Sequence, residues 1–144
     1  MTITSQFEIE PLILAAISAL SLSGVSVNDE TAVAGVTNLV GIAPAVILFS
    51  GDGQYSQGID GALQTETQFW QLSVIVKHIK AGAETTASRA GTIMTPILAA
   101  LVGVQLSADF APLEIVERPV AKYEDGYAEF PIILKTSFDV GAGA

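Results

Sequence analysis

Between Thr65 and Lys80 the chain alternates with a period of two. Glu66, Gln68, Trp70, Leu72, Val74, Val76, His78 and Lys80 form one set, polar at its ends and apolar in the middle. Thr65, Thr67, Phe69, Gln71, Ser73, Ile75, Lys77 and Ile79 form a second, mixed set. Successive side chains of a strand point to opposite faces, so this pattern predicts a long strand with its apolar set on a core. The β-branched and aromatic residues in its middle suit a pleated, half-buried surface. About sixteen residues at roughly 3.3 Å each would run on the order of 50 Å, far beyond a usual strand. Either a bulge bends it or one end projects beyond the globular body.

Two stretches carry a helical period instead. Ile9, Leu12, Ile13, Ala16, Ile17 and Leu20 predict a helix running to about Ser21 and ended by Gly24. It starts either at the Ser5–Glu8 capping box or at Glu10, with Pro11 in the first helical position. So little of its surface is polar that it should be covered on more than one side. Ala90, Ile93, Met94, Ile97, Leu98, Leu101 and Val102 predict a second helix, capped by Thr86 or Ser88 and stopped by Gly103. Pro96 should kink it or mark a restart after Thr95.

The remaining elements are shorter. Val25 and Val27 suit a brief extended piece, Asn28–Glu30 reads as a turn, and Thr31–Ala43 as a loop with short structure. Pro44 opens a buried strand over Ala45–Ser50. Gly51–Gln64, with its four glycines, reads as the oversized flexible tip of a hairpin between that strand and the long one. Leu113–Arg118 and Ala128–Val140 are strands joined through a turn at Tyr123–Gly126. Pro131 points to a sheet edge or bulge, and the tail 141–144 should fray. The order predicts one α+β domain over 1–144: a mainly antiparallel four-stranded sheet built from two hairpins, with two helices packed on one face.

Composition adds constraints. A chain of 144 residues can bury about 70% of its unfolded surface and needs neither metal nor disulfide to fold. With no cysteine, disulfide frameworks, thiolate zinc sites and thiol nucleophiles are all removed. The net charge of −9 opposes DNA binding, because affinity for phosphate comes from cations. Every Lys and Arg lies at or after Lys77, leaving the first half of the chain purely acidic. Half the residues are hydrophobic and only 15% charged, which suggests a membrane span or extensive subunit contact. Pro11–Val27 is too short, too rich in serine and lacks the flanking cations for a span or signal peptide. The excess therefore reads as interface.

Candidate chemistry is sparse. His78, the single histidine, follows Val76 on the apolar face and reads as a core-edge side chain satisfied by one hydrogen bond. A catalytic base would need a nucleophile and an orienting acid beside it. Gly51-Asp52-Gly53 leads into a strand, not a helix, so it lacks the context of a nucleotide-binding loop. Asp52 and Asp60 lack the spacing and closing glutamate of a calcium loop. The pairs Glu8/Glu10, Glu114/Glu117 and Glu124/Asp125 read as solvated surface, and Trp70 as core. No cofactor, metal or catalytic residue is indicated.

Taken in order, several segments together resemble the tail-terminator (tail-completion) proteins of long-tailed bacteriophages. They are the N-terminal helix, the strand Pro44–Ser50, the glycine-rich loop, the Phe69-Trp70-Gln71-Leu72-Ser73-Val74 strand, the helix ending Leu101-Val102-Gly103 and the closing A-E-F-P-I-I-L-K-T-S-F strand. The resemblance spans nearly the whole chain, least over Asn28–Gly41. It implies a non-enzymatic virion protein forming a hexameric ring on the last ring of the tail tube, at the head-proximal end, after assembly in the host cytoplasm. Its partners would be copies of itself, the tail tube protein, the sheath of a contractile tail and a head–tail connector protein. DNA would pass through without specific binding. A closed head-to-tail ring needs two different complementary patches per subunit. The candidates are Gly51, Asp52, Gly53, Tyr55, Ile59 and Asp60 of the loop against Lys77 and Lys80. Alternatives are a head-completion or connector-adaptor protein, a small dimeric α+β ligand-binding module and, most remotely, a hydrolase using the carboxylates and His78.

Overall fold

A computed structural model describes residues 4–56, 62–79 and 84–141. Its elements run α1 (Ile9–Ser18), β1 (Ser26–Asp29), β2 (Ala45–Tyr55), β3 (Gln64–Lys77), α2 (Thr86–Leu101), β4 (Glu114–Glu117), β5 (Lys122–Tyr123) and β6 (Tyr127–Val140). They form one six-stranded sheet in the order β1-β2-β3-β6-β4, with β5 also on β6. The α+β class holds, but the sheet is mixed and larger than the four antiparallel strands expected, since β1 runs parallel to β2. Ser-Val-Asn-Asp carries no alternation strong enough to mark a strand; it becomes one because β2 offers an edge over Ala45–Leu48.

β3 is the spine. It pairs with β6 along its whole length, Gln64 opposite Val140 and Lys77 opposite Tyr127. Trp70, Leu72, Val74 and Val76 face the main core with Val46, Leu48, Ile132, Leu134 and Phe138. Both helices cover this face through Ile9, Ile13, Ile17, Ala90, Ile93, Met94, Ile97 and Leu101. Burial of these side chains, about 1.5–3 kcal/mol for each Ile, Leu or Met and less for Ala90, is the main favourable term holding the helices to the sheet.

Ile75, Ala45, Ile47 and Tyr127 make a smaller cluster on the opposite face. Val33, Leu39, Val40 and Ile42, from the segment joining β1 to β2, pack over it. That segment, expected as a loop, contains two 3₁₀ turns, Thr31–Val33 and Val40–Ile42. It covers only part of the face.

Helix α1 is shorter than expected, ending at Ser18 instead of about Ser21, where the backbone turns to positive φ. The Ser5–Glu8 box does not form: Glu8 makes no side-chain cap, and its carboxylate accepts instead from the Thr4 backbone at 3.2 Å. Pro11 then lies in the first turn, where its missing N–H has no partner to lose. Only one stripe of α1 is buried, and Leu12 remains 37% exposed. Helix α2 is capped by Thr85, whose hydroxyl accepts from Ser88 N at 3.0 Å, and continues through Pro96. Pro131 is not on an edge strand. It falls between the β5 pairing at Ala128–Glu129 and the β4 pairing at Ile133–Lys135, a gap where a residue without an N–H is tolerated. Among the described residues, no helix is long and apolar enough to cross a membrane.

Candidate functional site

The first five residues of the expected loop, Gly51–Tyr55, are strand. β2 runs on from Ser50 to Tyr55, pairing Gly53 with Gln68, Gln54 with Thr67 and Tyr55 with Glu66 after a bulge. Glycine and aspartate disfavour strands, so the segment reads as loop; its pairing is imposed by β3. Gly51 makes the bulge workable, since a Cβ there would stand 2.7 Å from the Phe69 carbonyl oxygen. Together with the end of β6, the strands form a three-stranded arm. β1 pairs only with Ala45–Leu48, so the exposed outer half of β2 has no strand on the side away from β3 among the described residues.

Gly51, Asp52, Gly53 and Tyr55 are thus gathered on this arm. Ile59, Asp60 and Lys80 lie outside the described residues. Lys77 is at the far end of β3, opposite Tyr127. Eleven residues of strand separate it from Glu66, roughly 36 Å, so the two candidate groups do not meet within one subunit.

The helix-side face of the arm holds residues the pattern did not single out. Glu66 is only 3% exposed, and its Oε2 has no hydrogen-bond partner among the described residues. Tyr55, across the ladder, is 55% exposed. Its phenol is raised above its ordinary value, first by a hydrogen bond to Glu66, then by desolvation and the carboxylate's charge. Gln68, also buried, donates from its amide to the Gln6 carbonyl and accepts from Trp70 Nε1 at 3.2 Å. Phe7 meets Trp70 edge-on, with ring centroids 6.5 Å apart, and is half exposed. These side chains line a pocket of about 210 Å³. The signal was present in the sequence: Glu66 and Gln68 are polar members of the apolar set of β3.

At the opposite end His78 is held as a core-edge residue. Its Nε2 lies 2.7 Å from the Glu124 carbonyl oxygen, and its ring stacks on Tyr123 at 5.9 Å. Of the carboxylate pairs, Glu114 meets Lys135 at 3.5 Å on the surface, the one ion pair among the described residues. Glu10 is raised above its ordinary value, chiefly by desolvation and then by the charges of Asp29 and Glu30. No cluster of three or more metal-ligating side chains occurs among the described residues.

The apolar excess lies partly on the surface. Val120 is 87% exposed, Tyr123 61%, and Ile115 and Val116 of β4 nearly half. β4 is the other free edge of the sheet, so both edges of the molecule offer backbone groups to a partner.

Residues 10–143 match the family model described as Phage tail terminator protein. A search of curated proteins finds no match. Among solved structures, a chain from the virion of a native gene transfer agent particle superposes with a TM-score of 0.52. It is 18% identical, and the match covers 88% of this chain and 86% of that one. At that identity the likeness is one of fold.

Proposed function

We propose, from the premise that this chain belongs to the phage tail terminator protein family, that it closes as a hexameric ring on the tail tube. A virion structural protein is what the family makes it. The ring would stop tube polymerisation and present the head-side joining surface, at the head-proximal end of the tail. The observation that carries this reading is the outward edge of the outer half of β2, free beyond β1, with the edge of β4 free at the other side of the sheet among the described residues. Two different free edges on one subunit are what a repeated head-to-tail contact requires, and closure of that contact gives a ring. The exposed Ile115, Val116, Val120 and Tyr123 supply apolar area for such contacts. A net charge of −9 suits a passage through which DNA moves without sticking. Neither enzymatic chemistry nor a cofactor enters this reading.

The test is direct. Purified chain, alone and mixed with its cognate tube protein, is examined by light scattering and negative-stain imaging. Six-fold rings, free or on tube ends, are expected. A chain that stays monomeric at every concentration and never caps a tube overturns the reading.

A further inference from the structure

We propose that the arm pocket around Glu66 is a guanidinium site, filled by Arg118 of a second copy of this chain whose β4 edge lies along the outer half of β2. This rests on the ring reading above and names the contact that closes it. A buried carboxylate oxygen without a partner is a site prepared for something the isolated subunit lacks. The walls say what it is. Phe7, Tyr55 and Trp70 border the pocket, and aromatic faces beside a carboxylate favour a planar cation. The segment from Ala45 to Val76 contains no Lys or Arg, so the arm itself cannot supply one.

Arg118 fits on three counts. It is exposed and makes no ion pair among the described residues. It follows directly on β4, the edge strand at the end of the sheet away from β1 and from the outer half of β2 that β1 leaves uncovered. It also borders a groove with Met94, Ala90 and Ile132, whose side chains belong to the helix-covered core face. Glu66 and Gln68 alternate in phase with Trp70 on that same face of β3. Within one subunit β4 runs antiparallel to β2, so a second copy whose β4 docks antiparallel to β2 continues the sheet with the same face toward the helices, and the incoming Arg118 arrives on the side where Glu66 waits. Within one subunit the pair cannot meet. The groove beside Arg118 includes Pro131, which stands opposite Ser73, seven positions or roughly 23 Å along β3 from Glu66.

Assembly of full-length chain is followed by sedimentation, or on tube ends if rings form only there. Glu66→Gln and Arg118→Gln are compared singly and together. Each single variant should raise the half-assembly concentration at least tenfold, and the double variant should be no worse than the weaker single. The Glu66→Gln monomer should melt at or above the wild-type temperature, because a buried unpaired charge has been removed; a merely structural glutamate would lower it. If Glu66→Gln folds poorly, Arg118→Glu, at an exposed position, decides alone. Wild-type-like assembly of either single variant, or independent multiplying effects in the double, overturns the inference while leaving the ring reading standing. Failure of the wild-type chain to form rings at all overturns both.

Discussion

The indole N–H of Trp70 donates to Oε1 of Gln68, two positions earlier on the same face of β3, and the amide of Gln68 reaches the Gln6 carbonyl. The largest fully buried side chain is therefore tied through one glutamine to the segment leading into α1. Gln68→Ala would leave a buried indole donor without an acceptor, which costs about 1–3 kcal/mol. Urea denaturation should show a lower midpoint with an unchanged slope.

Gly51→Ala tests the bulge. The added methyl would stand 2.7 Å from the Phe69 carbonyl oxygen, so backbone must move apart where β2 bends. A loss of about 1–3 kcal/mol is expected. Amide exchange should quicken in Gly53–Tyr55 before it does in Ala45–Leu48, since the latter are buried and held on both sides.

Glu10 gives a pH signature. Its folded-state value is raised above 4.5, so the folded chain binds a proton more readily than the unfolded chain. Stability contributed by this group is fully present below the ordinary value and falls as pH rises through the folded value. Glu10→Gln should therefore be more stable than wild type at neutral pH. The two denaturation curves should converge below the ordinary carboxylate range.

Val116→Thr separates folding from assembly. Val116 is 45% exposed on the free edge of β4, and exposed substitutions usually change stability by less than about 0.5 kcal/mol. Monomer unfolding should be unchanged, and ring formation should weaken. His78→Ala should leave tail completion intact and lower stability by about 1 kcal/mol, through the lost bond to Glu124 and the stack on Tyr123.

β3 and α2 were legible because their apolar residues recur at the period of their own geometry and face one core. The outer half of β2 was not: Gly51–Tyr55 bury no side chain, so no alternation records the pairing that β3 imposes. β1 was legible only as the brief extended piece at Val25 and Val27, with Asn28 and Asp29 read as turn, because no residue of Ser26–Asp29 is buried and the strand is organised by a neighbour's edge. Trp70 and His78 stand where the pattern put them. Tyr55, Gly51 and Gly53 share one arm as the loop reading grouped them, but as strand instead of mobile tip. Glu66 escaped notice because a polar residue at the end of an apolar set looks like a strand leaving the core, whereas here its carboxylate is buried against Gly53, beside a pocket that Gln68 and Phe7 also line.

The distribution of the described ionic groups along the sheet also has a kinetic meaning. Asp52, Glu66 and Asp139 sit at the arm with no cation in the ladder beside them, while toward the other end Lys77, Lys122 and Arg118 are matched one for one by Glu124, Asp125 and Glu129. Such a molecule carries an electric dipole along its strands. Two copies diffusing together feel a torque before they touch, one that turns the acidic arm of one away from the arm of the other and toward its balanced end, and so shortens the search for the productive orientation. Added salt would shrink the reach of that torque to a few ångströms and would also screen the repulsion between two copies of net charge −9, making encounters more frequent but less well oriented without altering the subunit itself.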